Sequence, residues 1–274
     1  MFLLFLLPKN LLSFAVGRLV RMRFPFGFHR WMRDKFVAYF KIDMTEAEFP
    51  QDKYETIGAL FTRHLKPSAR PIGEAKVVSP VDGTWVRSGV FGQKECLFKQ
   101  IKGKTYSLSK ITGAEWKEAD FAGGCFQTIY LAPHNYHRIH SPIKGRITKA
   151  VFLPGNLWPV NHWSVETIDE LFGINERLIL EITDGDGVML VVMVGATNVG
   201  AITSPQIPGF STNQLGQKKR QVWNSLEVAI NKGEEIGCFN MGSTVVLIGN
   251  ASMTSMLPEL SDLPRPLQMG ESLF

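Results

Sequence analysis

At 274 residues with 45% hydrophobic side chains, the chain can bury one large core, or one core with a helical appendage. Its net charge of +5 is concentrated in residues 1–40, where Lys9, Arg18, Arg21, Arg23, Arg30, Arg33 and Lys35 stand against Asp34 alone, so the remainder is close to neutral. Large aliphatic residues dilute those cations and no nucleic-acid-binding motif accompanies them, which excludes nucleic acid as a partner; Cys96, Cys125 and Cys238 are too widely spaced for a disulfide scaffold or a Cys-x-x-Cys zinc site and are expected to be reduced, partly buried thiols.

The basic N-terminal segment is also apolar, from Phe2–Leu7 through Leu11, Leu12, Phe14, Leu19 and Val20 to Phe28, Trp31, Phe36 and Phe40. Pro8 and Lys9 break the first run well short of the roughly 18–20 apolar residues that a spanning helix needs. No clear secretory cleavage site follows it. Apolar side chains interleaved with Arg and Trp suit helices lying in the headgroup region of an anionic membrane, or else a basic helical pair packed on the protein's own core.

From Met44 to about Pro71 the pattern predicts a helix, with Glu46 and Glu48 at its start, Ala59, Leu60 and Leu65 within it, and Pro67 and Pro71 ending it. Strand signals then take over: Gly83 to Val90, Phe126 to Leu131, Ile143 to Leu153, Leu178 to Ile182, Val188 to Val194 and Thr244 to Ile248, with Gly, Pro, Asp or Asn between many of them. Asp184-Gly185-Asp186-Gly187 predicts a hairpin turn, because Asp and Gly tolerate positive φ. Residues 213–233 read as a polar stretch followed by a helix-capable Trp223 to Ile230. The fold class expected is therefore α+β: a mainly antiparallel β catalytic core, residues 71–274, behind an N-terminal helical membrane-associating region, residues 1–70.

The most informative local feature is Met241-Gly242-Ser243-Thr244, between Gly237-Cys238-Phe239-Asn240 and the β-branched run that begins at Val245. A serine hydroxyl directly after glycine can attack the glycine carbonyl, since no Cβ blocks the approach and glycine tolerates unusual backbone angles. The amide becomes an ester; elimination of that ester and hydrolysis leave a pyruvoyl group on the residue that was Ser243. Such a reaction needs a base and an orienting partner for it.

Several further segments sit in one order along the chain: Phe61-Thr62-Arg63-His64-Leu65-Lys66-Pro67, Ser79-Pro80-Val81-Asp82-Gly83, Leu131 to Pro142 with His134, His137 and His140, Leu171 to Arg177, Val194 to Gly200, and Lys232 to Gly237 leading into Gly-Ser-Thr. Together they span roughly residues 50–250, and with them the chain closely resembles the phosphatidylserine decarboxylase proenzymes. The resemblance implies cleavage between Gly242 and Ser243 into a β chain (1–242) and an α chain (243–274), with the pyruvoyl group derived from Ser243 as cofactor and Schiff-base partner of the serine headgroup. It also implies a charge relay in which Asp82 fixes the His140 tautomer and His140 takes the Ser243 proton. The expected substrate is phosphatidylserine, converted to phosphatidylethanolamine and CO2 at the cytoplasmic face of a bacterial-type cell membrane, by a heterodimer of the protein's own chains that dimerises further.

His137 is assigned the protonation of the carbon left by CO2, which a histidine near its unperturbed pKa of about 6.5 can perform at neutral pH. Read alone, Asp82-Gly83 is a turn, His140 a hydrogen-bonded strand residue and His137 a support for the loop after Pro133. No metal is expected: in His134-x-x-His137-x-x-His140 a strand would point His137 away from the other two, and Pro133 and Pro142 leave no room for a long helix. Spacing assigns no role to Asn175, while Glu176 and Arg177 read as an ordinary surface pair and Gly195 and Gly200 as bulges or points of close backbone approach. Two other functions compete: a serine hydrolase using Asp82, His140 and Ser243 without cleavage, although the Gly-x-Ser-x-Gly elbow is absent, and a non-catalytic membrane-binding module.

Overall fold

The computed structural model describes residues 9–24, 27–99, 105–160, 162–197, 201–214, 216–240, 243–256 and 263–273. The apolar run Phe2–Leu7, the Asn198–Gly200 end of one matched segment, and Met241 and Gly242 lie outside them. Six α-helices occur among the described residues: α1 (Lys9–Leu19), α2 (Phe28–Phe40), α3 (Ile57–Phe61), α4 (Leu108–Thr112), α5 (His162–Thr167) and α6 (Leu171–Ile174). The strands are β1 (Gly83–Val90), β2 (Leu97–Lys99), β3 (Thr105–Ser107), β4 (Cys125–Leu131), β5 (Arg138–His140), β6 (Gly145–Leu153), β7 (Arg177–Asp184), β8 (Gly187–Val194), β9 (Ile202–Thr203), β10 (Gln221–Ile230), β11 (Glu235–Phe239), β12 (Ser243–Gly249) and β13 (Arg265–Leu267). Among the described residues no helix is long and apolar enough to cross a membrane.

An eight-stranded sheet runs in the order β10-β6-β7-β8-β12-β4-β1-β13, and a three-stranded sheet in the order β5-β11-β9. The strand pairs are antiparallel throughout. β12 lies near the middle of the large sheet with all of its residues buried, which is why Thr244-Val245-Val246-Leu247-Ile248 is continuously β-branched or aliphatic rather than alternating. The β7–β8 hairpin closes at Gly185-Asp186, between the facing pair Asp184 and Gly187, with Gly185 at φ 58°.

Two predicted helices take other forms. Between Met44 and Pro71 the chain makes only a 3-10 turn (Gln51–Lys53) and α3, whose N-cap Thr56 accepts a hydrogen bond from the Ala59 N–H. Residues on either side fold back on each other, with Glu48 N–H donating to His64 O and Lys66 N–H to Glu46 O, so backbone pairing replaces a continuous helix. Trp223 to Ile230 belongs to edge strand β10, where pairing with β6 overrides helix propensity; a bulge between Asn224 and Val228, with Ser225 and Glu227 at positive φ, twists that edge.

Helices α1 to α3 form a layer with its own small core of Ile42, Ala47, Tyr54 and Leu60, against which Phe36, Val37 and Phe40 pack. The Gly58 N–H donates to Val20 O at 2.9 Å, and a Cβ at Gly58 would meet Arg21 Cγ at 3.0 Å, so glycine lets the end of α1 lie on α3.

Candidate active site

Two connections bring His137 beside the segment that leads to Ser243. β4 and β12 are neighbours in the large sheet, with Ser243 facing Leu131, and β5 and β11 are neighbours in the small one, with Cys238 facing Arg138. The β4–β5 loop, which carries His134 and His137, therefore runs beside the β11–β12 connection, and the Phe239 N–H donates to His137 O at 3.0 Å. Phe239 precedes Ser243 by only four residue steps, a reach of at most about 14 Å.

Ser243 opens β12 at 1% exposure, and its Oγ, like Thr244 Oγ1, has no hydrogen-bond partner among the described residues. His137 is fully buried; its Nδ1 lies 2.8 Å from Asn135 O and must donate there, since a carbonyl only accepts, which leaves a lone pair on Nε2 with no partner among the described residues. The ring packs 3.9 Å from that of Phe61. His140 donates from Nδ1 to Gly233 O at 2.8 Å and receives the Tyr136 hydroxyl at Nε2 at 3.0 Å.

Asp82 departs from the expected relay. Its carboxylate takes a bidentate pair from Arg70, Nε to Oδ1 at 2.8 Å and Nη2 to Oδ2 at 2.6 Å, together with the Met269 N–H at 2.8 Å. Arg70 Nη2 also reaches Glu46 at 2.8 Å. Among the described residues no hydrogen bond joins Asp82 to His140, because a guanidinium fork outcompetes a neutral imidazole whose N–H already serves Gly233. What remains between the two is charge: Asp82 and Glu235 favour protonated His140, against the burial that pulls its pKa down most.

A family model described as phosphatidylserine decarboxylase matches residues 57–274. Proteins named phosphatidylserine decarboxylase proenzyme are similar over most of their length: that of Anaeromyxobacter sp. (strain K) is 41% identical over 98% of this chain and 95% of its own, and that of Myxococcus xanthus (strain DK1622) is 40% identical over 88% and 86%. That of Brevibacillus brevis is 38% identical over 88% and 85%. The chain belongs to the phosphatidylserine decarboxylase family.

Other matched segments of this family member prove structural where the sequence left them open. Glu176 and Arg177 are not a surface pair: both are buried, and Arg177 donates to Ile111 O, Asn175 O and Lys110 O at 2.5, 2.7 and 2.8 Å. Asn175 bridges the Trp158 backbone and Gly195 O. Arg177, Val194 and Thr244 face one another across β7, β8 and β12, so Glu176 and Ser243 stand level at the next position, either side of Gly195. Burial raises the Glu176 pKa against hydrogen bonds from Thr212 and the Asn213 backbone, and its Oε1 has no partner among the described residues. Arg70 and Tyr136 escaped the sequence reading, and Glu176 was assigned to the surface; the only signal for Arg70 was that a buried Asp82 needs a cation.

Nor does His137 keep an ordinary pKa. Burial pulls it down to about 3, against the Asn135 hydrogen bond and helped by the nearby Arg63 charge. An unfolded histidine binds a proton below about pH 6.5, whereas the buried one does so only near pH 3. Stability is therefore lost as pH falls below about 6.5, by about 2 kcal/mol between pH 6.5 and 5 from this group. Burial lowers the His140 pKa too, which acts in the same direction. Urea unfolding at pH 7 and pH 5 is expected to show this slope, reduced in His137→Phe; an equal slope in the variant would contradict it.

Proposed function

We propose that this chain is a self-processing, pyruvoyl-dependent decarboxylase that converts phosphatidylserine to phosphatidylethanolamine and CO2. The observation that carries this reading is the buried Ser243 hydroxyl, without a partner among the described residues, at the first residue of a central strand, directly after a glycine, in a chain of this family. In the first reaction His140 takes the Ser243 hydroxyl proton as Oγ attacks the Gly242 carbonyl, Asp82 stabilises the imidazolium through its charge, and His140 passes the proton to the amide nitrogen as the C–N bond breaks, leaving an ester and an amine. His140 then takes the α-proton of residue 243 as the ester C–O bond breaks, Gly242 leaves as a carboxylate, and water converts the resulting dehydroalanine to the keto group and ammonia. The residues fit the group: Ser243 has an unengaged Oγ, and no described side chain competes for it.

The pyruvoyl group supplies an electron sink for the electrons freed as the substrate carboxylate departs. His137 is the proton carrier. With a lone pair on Nε2 it accepts a proton from the serine headgroup's ammonium, and it returns that proton to the substrate carbon after CO2 has left. The two product chains stay together because β12 pairs with β4 on one side and β8 on the other. Further pairing of these heterodimers is part of the proposal by family resemblance alone. Intact-mass measurement tests the reading: fragments of residues 1–242 and 243–274 are expected, the shorter without a free amino terminus, and an uncut chain with full activity would refute it.

The proposed division is a membrane-associating region, residues 1–70, and a catalytic region, residues 71–274, acting peripherally at the cytoplasmic face. In support, Leu11, Leu12, Leu19, Met22, Phe28, Trp31 and Tyr39 are exposed among the exposed cations Arg18, Arg21, Arg23, Arg30 and Lys35. Deleting this segment would also strip the small core beside α3, so substitution is the cleaner test. Phe28→Ser with Trp31→Ser is expected to weaken sedimentation with phosphatidylglycerol vesicles at least tenfold, as about 1.5–3 kcal/mol accompanies full burial of each large apolar side chain, while self-cleavage continues. Unchanged sedimentation would contradict the membrane role.

A further inference from the structure

We infer that Arg63 is a phosphodiester-binding residue whose buried guanidinium, tethered to the His134 backbone beside the His137 ring, takes the headgroup phosphate of the phospholipid. The inference rests on the decarboxylase reading and adds to it the residue that anchors the substrate.

Arg63 is 4% exposed and makes one hydrogen bond, from Nη2 to His134 O at 3.2 Å. Its Nε and Nη1 are buried without a partner among the described residues. A guanidinium offers five donors and cannot shed its charge, so leaving them unmet in the interior is costly. Arg177 makes the contrast, with Nε, Nη1 and Nη2 all on carbonyls. Two carboxylates favour the Arg63 charge from a distance, Asp82 and Glu46, but both spend hydrogen bonds on Arg70. Arg63 is thus a buried cation with two donor nitrogens unmet among the described residues, on either side of the one that holds His134 O, and each can donate to an oxygen of a bound oxyanion.

Its surroundings point to the substrate. Phe61, two residues earlier, packs against the His137 ring at a tilt of 39°. Thr62, between them, lines a cleft of about 420 Å³ with Arg138, Ser204, Cys238 and Asn240, the last three residues ahead of Ser243. A headgroup entering this cleft meets Thr62, the residue before Arg63, and Asn240, three residues before Ser243. The headgroup carries two anions, phosphate and carboxylate, and chemistry separates them. An ion pair to the carboxylate is weakened as CO2 leaves, which raises the barrier, whereas the phosphate keeps its charge throughout and can be held in ground and transition state alike.

The test uses the processed full-length enzyme and calorimetric titration with glycerophosphoethanolamine (a phosphodiester without carboxylate), L-serine (a carboxylate without phosphate) and inorganic phosphate. Arg63→Met is expected to weaken glycerophosphoethanolamine about tenfold to a hundredfold, the loss of one or two charge-assisted hydrogen bonds, and to leave L-serine unchanged. Arg63→Lys should fall between. KM should rise by the same factor with kcat within a few-fold, and Tm should hold or rise in Arg63→Met because an unmet buried charge has gone. The proposal is overturned if wild type does not bind glycerophosphoethanolamine, a measurement that needs no variant to fold. Selective loss of L-serine binding, binding of free phosphate that glycerophosphoethanolamine does not displace, or a lower Tm with unchanged phosphodiester affinity overturns it equally. Wild type that neither splits nor decarboxylates defeats the proposed function instead, and the titrations still report on Arg63.

Discussion

Ser243→Ala is expected to leave one uncut chain of 274 residues with no decarboxylation at all. The effect is all-or-none because, in the proposed reaction, the hydroxyl is both the nucleophile of the cleavage and the source of the electrophile. It is also clean. The wild-type Oγ is buried without a partner among the described residues, so removing it should leave stability unchanged or raise it by up to about 1 kcal/mol. Intact mass, activity and urea unfolding on one preparation separate lost chemistry from lost fold. His140→Ala and Asp82→Asn are expected to stay uncut as well, whereas His137→Ala splits at least partly yet does not turn over lipid. Equal splitting in all four variants would overturn the division of labour between the two histidines.

Arg70→Met is expected to cost about 3–5 kcal/mol of folding stability, the usual consequence of stranding one member of a buried ion pair. Asp82 is 6% exposed and loses both bonds of its fork, keeping only the Met269 N–H. Glu46 loses its partner at the same time, but it is only part-buried and water can replace the arginine. The measurement is urea unfolding in the uncut Ser243→Ala background, where a single chain keeps the transition interpretable. Adding Asp82→Asn should recover most of the loss, because the stranded charge is gone. A deficit below about 1 kcal/mol, or no recovery in the double variant, would show that Asp82 draws its stability from elsewhere.

These expectations differ in how far the sequence could have supplied them. Six of the eight strands of the large sheet, β1, β4, β6, β7, β8 and β12, were readable from their short β-rich runs, and the Asp184–Gly187 turn from its residues, because both signals are local. The proposal for Ser243 also starts from the sequence, since its chemistry needs only the preceding glycine and the company of the other matched segments. The helix expected from Met44 to Pro71 was not realised: the competing partners of Glu46 and Glu48 are Lys66 and His64, some twenty residues away, and no local pattern announces them. Trp223 to Ile230 became a strand for the same reason, since β6 decides it.

Residue identity and short-range spacing were enough to fix the family and the antiparallel architecture, because these follow from what a few neighbouring residues can and cannot do. Tertiary structure alone decided that Asp82 belongs to Arg70, that His137 is buried and neutral with its lone pair on Nε2, and that Arg63 is left with unmet donors. Protonation states and hydrogen-bond partners depend on burial and on charges brought close by folding, and neither quantity exists until the chain has closed on itself.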